Sequence, residues 1–217
     1  MRLSAFVGPI RALVAAAGAI LLLSSGAAAQ QVGGGVKAGV ALSDIPNIDP
    51  LLSQVVYDIG SVGTSYRTGF AAGGFLMLRW KSGVAIQPEF LYTQKGVKAT
   101  VSEVTGVVHV KTDFIDVPVL ARYTFGKGVR GYVFGGPSFD FRVSAKIRAA
   151  VPGSSEEEDI SSSVKSFEFA LVVGGGVEFG PILVEGRWSE GLTNIDAENE
   201  GQSLKTRTFL FLGGFRF

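Results

Sequence analysis

Thr208-Phe209-Leu210-Phe211-Leu212-Gly213-Gly214-Phe215-Arg216-Phe217, the last ten residues of the chain, decide the fold. Taken at every second position they separate into Phe209, Phe211, Gly213, Phe215, Phe217 and Thr208, Leu210, Leu212, Gly214, Arg216. A period of two is that of a β-strand, whose successive side chains point to opposite faces. In water such an aromatic face on an edge strand invites aggregation. In a bilayer it is a fitting outer wall for a transmembrane β-barrel, with aromatic rings suited to the interface. Compartment therefore comes before chemistry.

The other end gives an independent reading. Arg2 and Arg11 precede the apolar run Ala12 to Leu23, and Ala27-Ala28-Ala29 supplies a small-residue cleavage site. This is the pattern of a secretory signal peptide, and the apolar run is too short to span a bilayer comfortably as a helix. The expected division is a cleavable signal peptide at 1–29 and a barrel domain at 30–217. With no cysteine in the chain, neither an N-terminal lipid anchor nor a disulfide framework is expected. Residues 30–217 hold 18 basic and 19 acidic side chains, a near-balance that argues against nucleic acid as a partner. No long apolar helix recurs after the leader. The 30 glycines favour strands and turns over helices.

Alternation continues backwards from the terminal strand. Segments 36–42, 69–80, 84–95, 114–125, 130–143, 166–179 and 182–192 each carry an apolar face opposite a polar one. With the last segment they make eight, the even number a closed bacterial barrel requires. Lys81-Ser82-Gly83, Gly126-Lys127-Gly128 and Gly180-Pro181 are tight turns by composition. The links near 43–67, 96–108, 144–165 and 192–203 are expected to be long loops. Short periplasmic turns and long extracellular loops would put both mature termini in the periplasm. The expected fold is thus all-β, an eight-stranded antiparallel up-and-down transmembrane β-barrel.

A soluble lipocalin-like barrel also has eight alternating strands, with the apolar face inside. Charges decide between the two. Lys37, Arg79, Glu89, Asp116, Arg122, Asp140, Arg142, Glu168, Glu178, Glu185 and Arg187 fall on the polar faces. They are read as a structural polar network in a narrow lumen, pairing across it, with the longer aromatic faces on lipid. Trp80, Tyr92, Tyr123, Phe125, Phe179 and Phe217 fall near the expected strand ends, as interfacial girdles should.

Four segments are similar to a known family. Gly35-Val36-Lys37-Ala38-Gly39-Val40-Ala41-Leu42-Ser43 resembles the first-strand motif of the PorT-like outer-membrane β-barrel family, also called porin-family proteins. Gln87 to Gly96, Phe114 to Tyr123 and Glu185 to Ile195 resemble its third, fourth and seventh strands, in order. Trp188 stands where that family usually has tyrosine. The resemblance implies an eight-stranded OmpA/OmpX-type barrel that is generally not an open pore. It also implies that Phe209, Phe211, Phe215 and Phe217 form a C-terminal strand read by the barrel assembly machinery.

Catalytic chemistry finds little support. His109 is the one histidine, and without cysteine a zinc site would need carboxylates for its other ligands. No nucleophile motif accompanies it. Gly33-Gly34-Gly35 and Gly174-Gly175-Gly176 lie in strand segments rather than before a helix, so they are not phosphate cradles. The acidic run Ser154 to Asp159 lacks the regular spacing of a calcium loop. No catalytic residue, cofactor or metal is expected, and the chain is not read as an enzyme. Leu51, Leu52, Val55, Val56 and Tyr57 give the first long loop an apolar patch suited to packing or to a surface partner. The expectation is a monomer in the outer membrane, in contact with lipids and lipopolysaccharide. It would serve envelope structure or surface interaction through its loops, the alternative being a narrow low-conductance channel or small-ligand transporter.

Overall fold

The computed structural model describes residues 31–46, 62–101, 106–151, 154–159, 166–193 and 205–217. The expected signal peptide and the apolar residues 51–57 lie outside these. Among the described residues there are nine strands: β1 Gln31–Asp44, β2 Val62–Arg79, β3 Val84–Val101, β4 Gly106–Phe125, β5 Val129–Val151, β6 Ser154–Asp159, β7 Phe167–Phe179, β8 Ile182–Gly191 and β9 Arg207–Arg216. Every pairing is antiparallel, and the sheet closes because β1 pairs with both β2 and β9 while β4 pairs with β5. Since β6 pairs only with the far end of β5, the barrel wall has eight strands, as the alternation predicts. The seam runs from Gly35 opposite Arg216 to Asp44 opposite Arg207, so the strand that opens the chain's barrel is sealed by the one that ends it.

Three strand connections are the tight turns expected from composition. Gly83 (φ 86°) and Gly180 (φ 56°) take the left-handed conformation that a side chain would strain. At the first of these, Gly83 N donates to Trp80 O at 3.1 Å and Trp80 N to Val84 O at 2.9 Å, closing the hairpin.

The opposite end departs from expectation. Residues 62–67, 96–101, 106–108 and 144–151, expected in loops, are paired strand, and β5 reaches 23 residues. The acidic run is β6, registered on β5 with Glu157 opposite Arg148 and Asp159 opposite Lys146. The strict alternation of apolar and polar residues lapses here in the sequence, while backbone pairing and β-branched residues such as Val107, Val108 and Val110 persist. Register shifts between Tyr66 and Ala71 and between Asp113 and Phe114 lie in the strands that run into this extension. Extra residues of this kind bend and twist a strand pair.

The outward face is a continuous apolar belt. Val36, Phe90, Val133, Val173, Val184 and Phe211 are exposed along its middle. At the short-turn rim Tyr123, Phe125, Phe179 and Phe217 form an aromatic edge. Higher up, Phe70–Tyr92, Phe139–Phe169, Phe141–Phe167 and Trp188–Phe209 meet with ring centroids 4.8–5.6 Å apart. Tyr92 belongs to this second ring but lies mid-strand, not near a strand end, because β3 continues past it. Trp188 also faces outward, against Phe209.

Candidate functional site in the barrel interior

Alternation that puts aromatics on lipid sends every second residue inward, and the inward charges meet in three layers. In the middle layer, Lys37 on β1 reaches Glu89 on β3 and Glu185 on β8, with Nζ 2.9 Å from an oxygen of each. Arg187, two residues beyond Glu185, grips Glu89 through both terminal nitrogens at 2.8 and 3.2 Å and also donates to Glu185. Two cations and two carboxylates thus form a closed square, with side chains 0–2% exposed. Gln87 Nε2 donates to Glu89 Oε1 as well, at 2.6 Å, and the Tyr132 hydroxyl donates to the free oxygen of Glu185 at 3.1 Å. Charges so deep are tolerated only when paired and hydrogen-bonded, and this square meets that condition from opposite walls.

Toward the short-turn end, Glu178 on β7 is surrounded by Arg79, Arg122, Arg130 and Arg216. Toward the long-strand end, Lys95 on β3 lies between Asp140 on β5 at 2.6 Å and Asp116 on β4 at 3.1 Å. Ser138 donates to Asp140. Glu168 accepts from Thr206 Oγ1 at 2.8 Å and from the Thr206 amide at 3.2 Å. Arg142, two residues beyond Asp140 on the same face, is half-buried.

Four of the inward cations also have an aromatic face beneath them. Lys37 lies 4.8 Å from the Phe75 centroid, Lys95 4.6 Å from Phe114, Arg122 3.6 Å from Tyr132 and Arg187 5.2 Å from Phe134. These rings desolvate the cations and attract them through their π faces. Leu91, Leu210 and Leu212, with Leu120 and Val172, fill the remaining interior.

All eleven residues assigned to the polar faces therefore point inward, ten of them into these three layers. Sequence reading missed Lys95, Gln87, Tyr132, Arg130, Arg216 and Thr206. The signal for Lys95 was present, because it continues the series Gln87, Glu89, Thr93 at the same parity. Phe209, Phe211, Phe215 and Phe217 face outward along β9. His109 sits within β4, opposite Lys98 and Arg148. Among the described residues no group of three or more His, Asp or Glu is disposed to hold a metal. In the upper layer an ammonium already occupies the space between the carboxylates.

A closed β-cylinder with lipid-facing aromatics and a charge-filled bore defines a transmembrane β-barrel. The family described as outer membrane protein beta-barrel domain matches residues 28–197, and the chain belongs to it. It is a small eight-stranded barrel of the outer membrane. No curated protein is a significant match to its sequence. Among solved structures it is similar to Ail, the attachment invasion locus protein of Yersinia pestis, at 12% identity and TM-score 0.45 over 87% of this chain and 100% of that one. It is also similar to Neisserial surface protein A, at 13% identity and TM-score 0.47 over 87% and 100% of the two chains. OprG from Pseudomonas aeruginosa is similar at 11% identity and TM-score 0.39 over 86% and 94%.

Proposed function

We propose that this protein, of the PorT-like subtype, is a closed, monomeric barrel that serves envelope structure or surface interaction through its long-strand end. Both mature termini lie in the periplasm, the outer rim meets lipopolysaccharide, and the C-terminal strand is the segment read by the assembly machinery. In the middle layer each inward carboxylate is committed to a cation. One observation carries this reading: the square of Lys37, Glu89, Glu185 and Arg187, which ties β1, β3 and β8 together across the lumen. An eight-stranded bore has room for side chains and little else.

Refolded protein in planar bilayers is expected to give no defined unitary conductance. Regular steps, abolished by a bulkier side chain in the lumen, would overturn the closed reading and favour a narrow channel. Orientation is tested separately on whole cells. A membrane-impermeant thiol reagent is expected to label Lys98→Cys, on the long-strand extension, and to spare Lys81→Cys, in a short turn. The reverse pattern would invert the barrel.

A further inference from the structure

The short-turn mouth gathers more positive charge than the barrel wall neutralises. Glu178, with its side chain 2% exposed, has Arg122 Nη2 at 2.5 Å, Arg130 Nη2 at 2.8 Å, Arg79 Nη2 at 3.3 Å and Arg216 Nη1 at 3.6 Å. A carboxylate offers about four lone-pair sites, whereas each guanidinium carries about five donors. Arg122 directs its others to Gln87 Oε1 and Thr124 Oγ1. The remaining three arginines are less well covered. Arg79 Nε is buried with no hydrogen-bond partner, Arg216 adds only Gly180 O at 3.3 Å, and Arg130 is 32% exposed.

These three groups line an open vestibule of about 550 Å³ with Gln31, Met77 and Phe217. A neighbouring hollow passes Lys127 beneath the Gly126–Gly128 turn. Neither is lined by an aspartate or glutamate. Even with an α-carboxylate at Phe217, four guanidiniums would face two anionic groups.

We infer that the short-turn mouth is a binding site for a phosphate group, held by Arg79, Arg130 and Arg216 and attracted at longer range by Lys127. Guanidinium forks match phosphate oxygens in geometry, and a tetrahedral anion can accept from three directions at once. A phosphate also supplies the charge the mouth lacks. Outside the mouth, Phe125, Phe179 and Phe217 are exposed on the lipid face, which sets the arginines at headgroup depth. The phosphate can therefore come from a lipid headgroup or from a free anion. The site rests on the barrel and its side chains, and holds whichever way the barrel is oriented.

The test uses refolded full-length protein in a maltoside detergent, which carries no phosphate. One arm titrates inorganic pyrophosphate calorimetrically. The other follows, by native mass spectrometry, retention of phosphatidylglycerol against a galactosyl diacylglycerol of the same chain length. Binding is expected in at least one arm, weakened about tenfold or more in Arg130→Gln/Arg216→Gln, tenfold being about 1.4 kcal/mol. Lys98→Gln, on the far extension, should leave it unchanged. Retention of phosphatidylglycerol alone assigns a headgroup, and pyrophosphate binding alone assigns a free anion. Absence of binding in both arms, or equal binding by the double variant, overturns the site. Should that variant not fold, Arg130→Gln alone is judged by the same criterion.

Discussion

Replacing Glu89 with alanine is expected to destabilise the barrel by about 3–5 kcal/mol, the scale for removing one partner of a buried ion pair. Glu89 accepts from Lys37, from both terminal nitrogens of Arg187 and from Gln87. Without it, two buried cations share Glu185 alone. Urea unfolding of protein refolded into vesicles reads the loss. Glu89→Gln should cost less, because its amide oxygen still accepts from Arg187. Adding Lys37→Met to Glu89→Ala should restore part of the stability, since the orphaned charge is removed, and a double-mutant cycle isolates that coupling. Exchanging the whole square for well-packed apolar residues is expected to be near neutral. A loss within about 0.5 kcal/mol for Glu89→Ala, the size of an ordinary surface substitution, would mean that water screens the bore.

Gly39→Val is expected to prevent stable closure. Gly39 faces inward on β1, opposite Leu212 of β9, and an added Cβ would stand 2.9 Å from Leu212 Cα and collide with the Phe211 carbonyl oxygen. Backbone on the sealing strand cannot yield as a flexible side chain would. Gly73, 2.8 Å from Leu91 Cα by the same construction, makes a second close approach between β2 and β3. Overpacking ordinarily costs about 1–3 kcal/mol, and here it also displaces ladder hydrogen bonds at the seam. The measurement is gel migration with and without boiling. A closed barrel runs differently when unboiled, and Gly39→Val should run the same in both lanes. A persistent heat shift in Gly39→Val would show that the seam tolerates the bulk. Gly213→Ala, whose Cβ meets nothing within 4 Å on the lipid face, serves as the control.

Inside the bilayer the sequence was nearly transparent, because one physical condition acts on every residue there. A wall with lipid outside and charge inside forces a strict period of two, and Phe209 to Phe217 obey it as do the seven earlier segments. Where the condition lapses, legibility lapses with it. Along the extension of β3, β4 and β5 the alternation lapses, so Lys98 and Thr100 read as loop although their backbones are paired. Lumenal parity was readable, but partnership was not. Nothing in the local sequence says that Lys37 meets Glu185, 148 residues away, since that meeting depends on closure of the cylinder. The aromatic floor beneath Lys37, Lys95, Arg122 and Arg187 was hidden for a related reason. Phe75 and Phe134 face inward among charges, whereas an aromatic in a membrane strand is ordinarily assigned to lipid.

The closed square also carries a schedule. Its first two members arrive early, because Lys37 and Glu89 are 52 residues apart and need only β1 to β3. Glu185 and Arg187 come with β8, and β9 follows as the last piece of wall. Until β8 arrives, Lys37 and Glu89 have only each other and water for their remaining hydrogen bonds, so the inner face stays wetted. The apolar belt cannot wrap a dry interior until nearly the whole chain exists. Non-local closure of this kind is slow. Here the delay keeps the unfinished barrel water-compatible on one side until it has a membrane to enter.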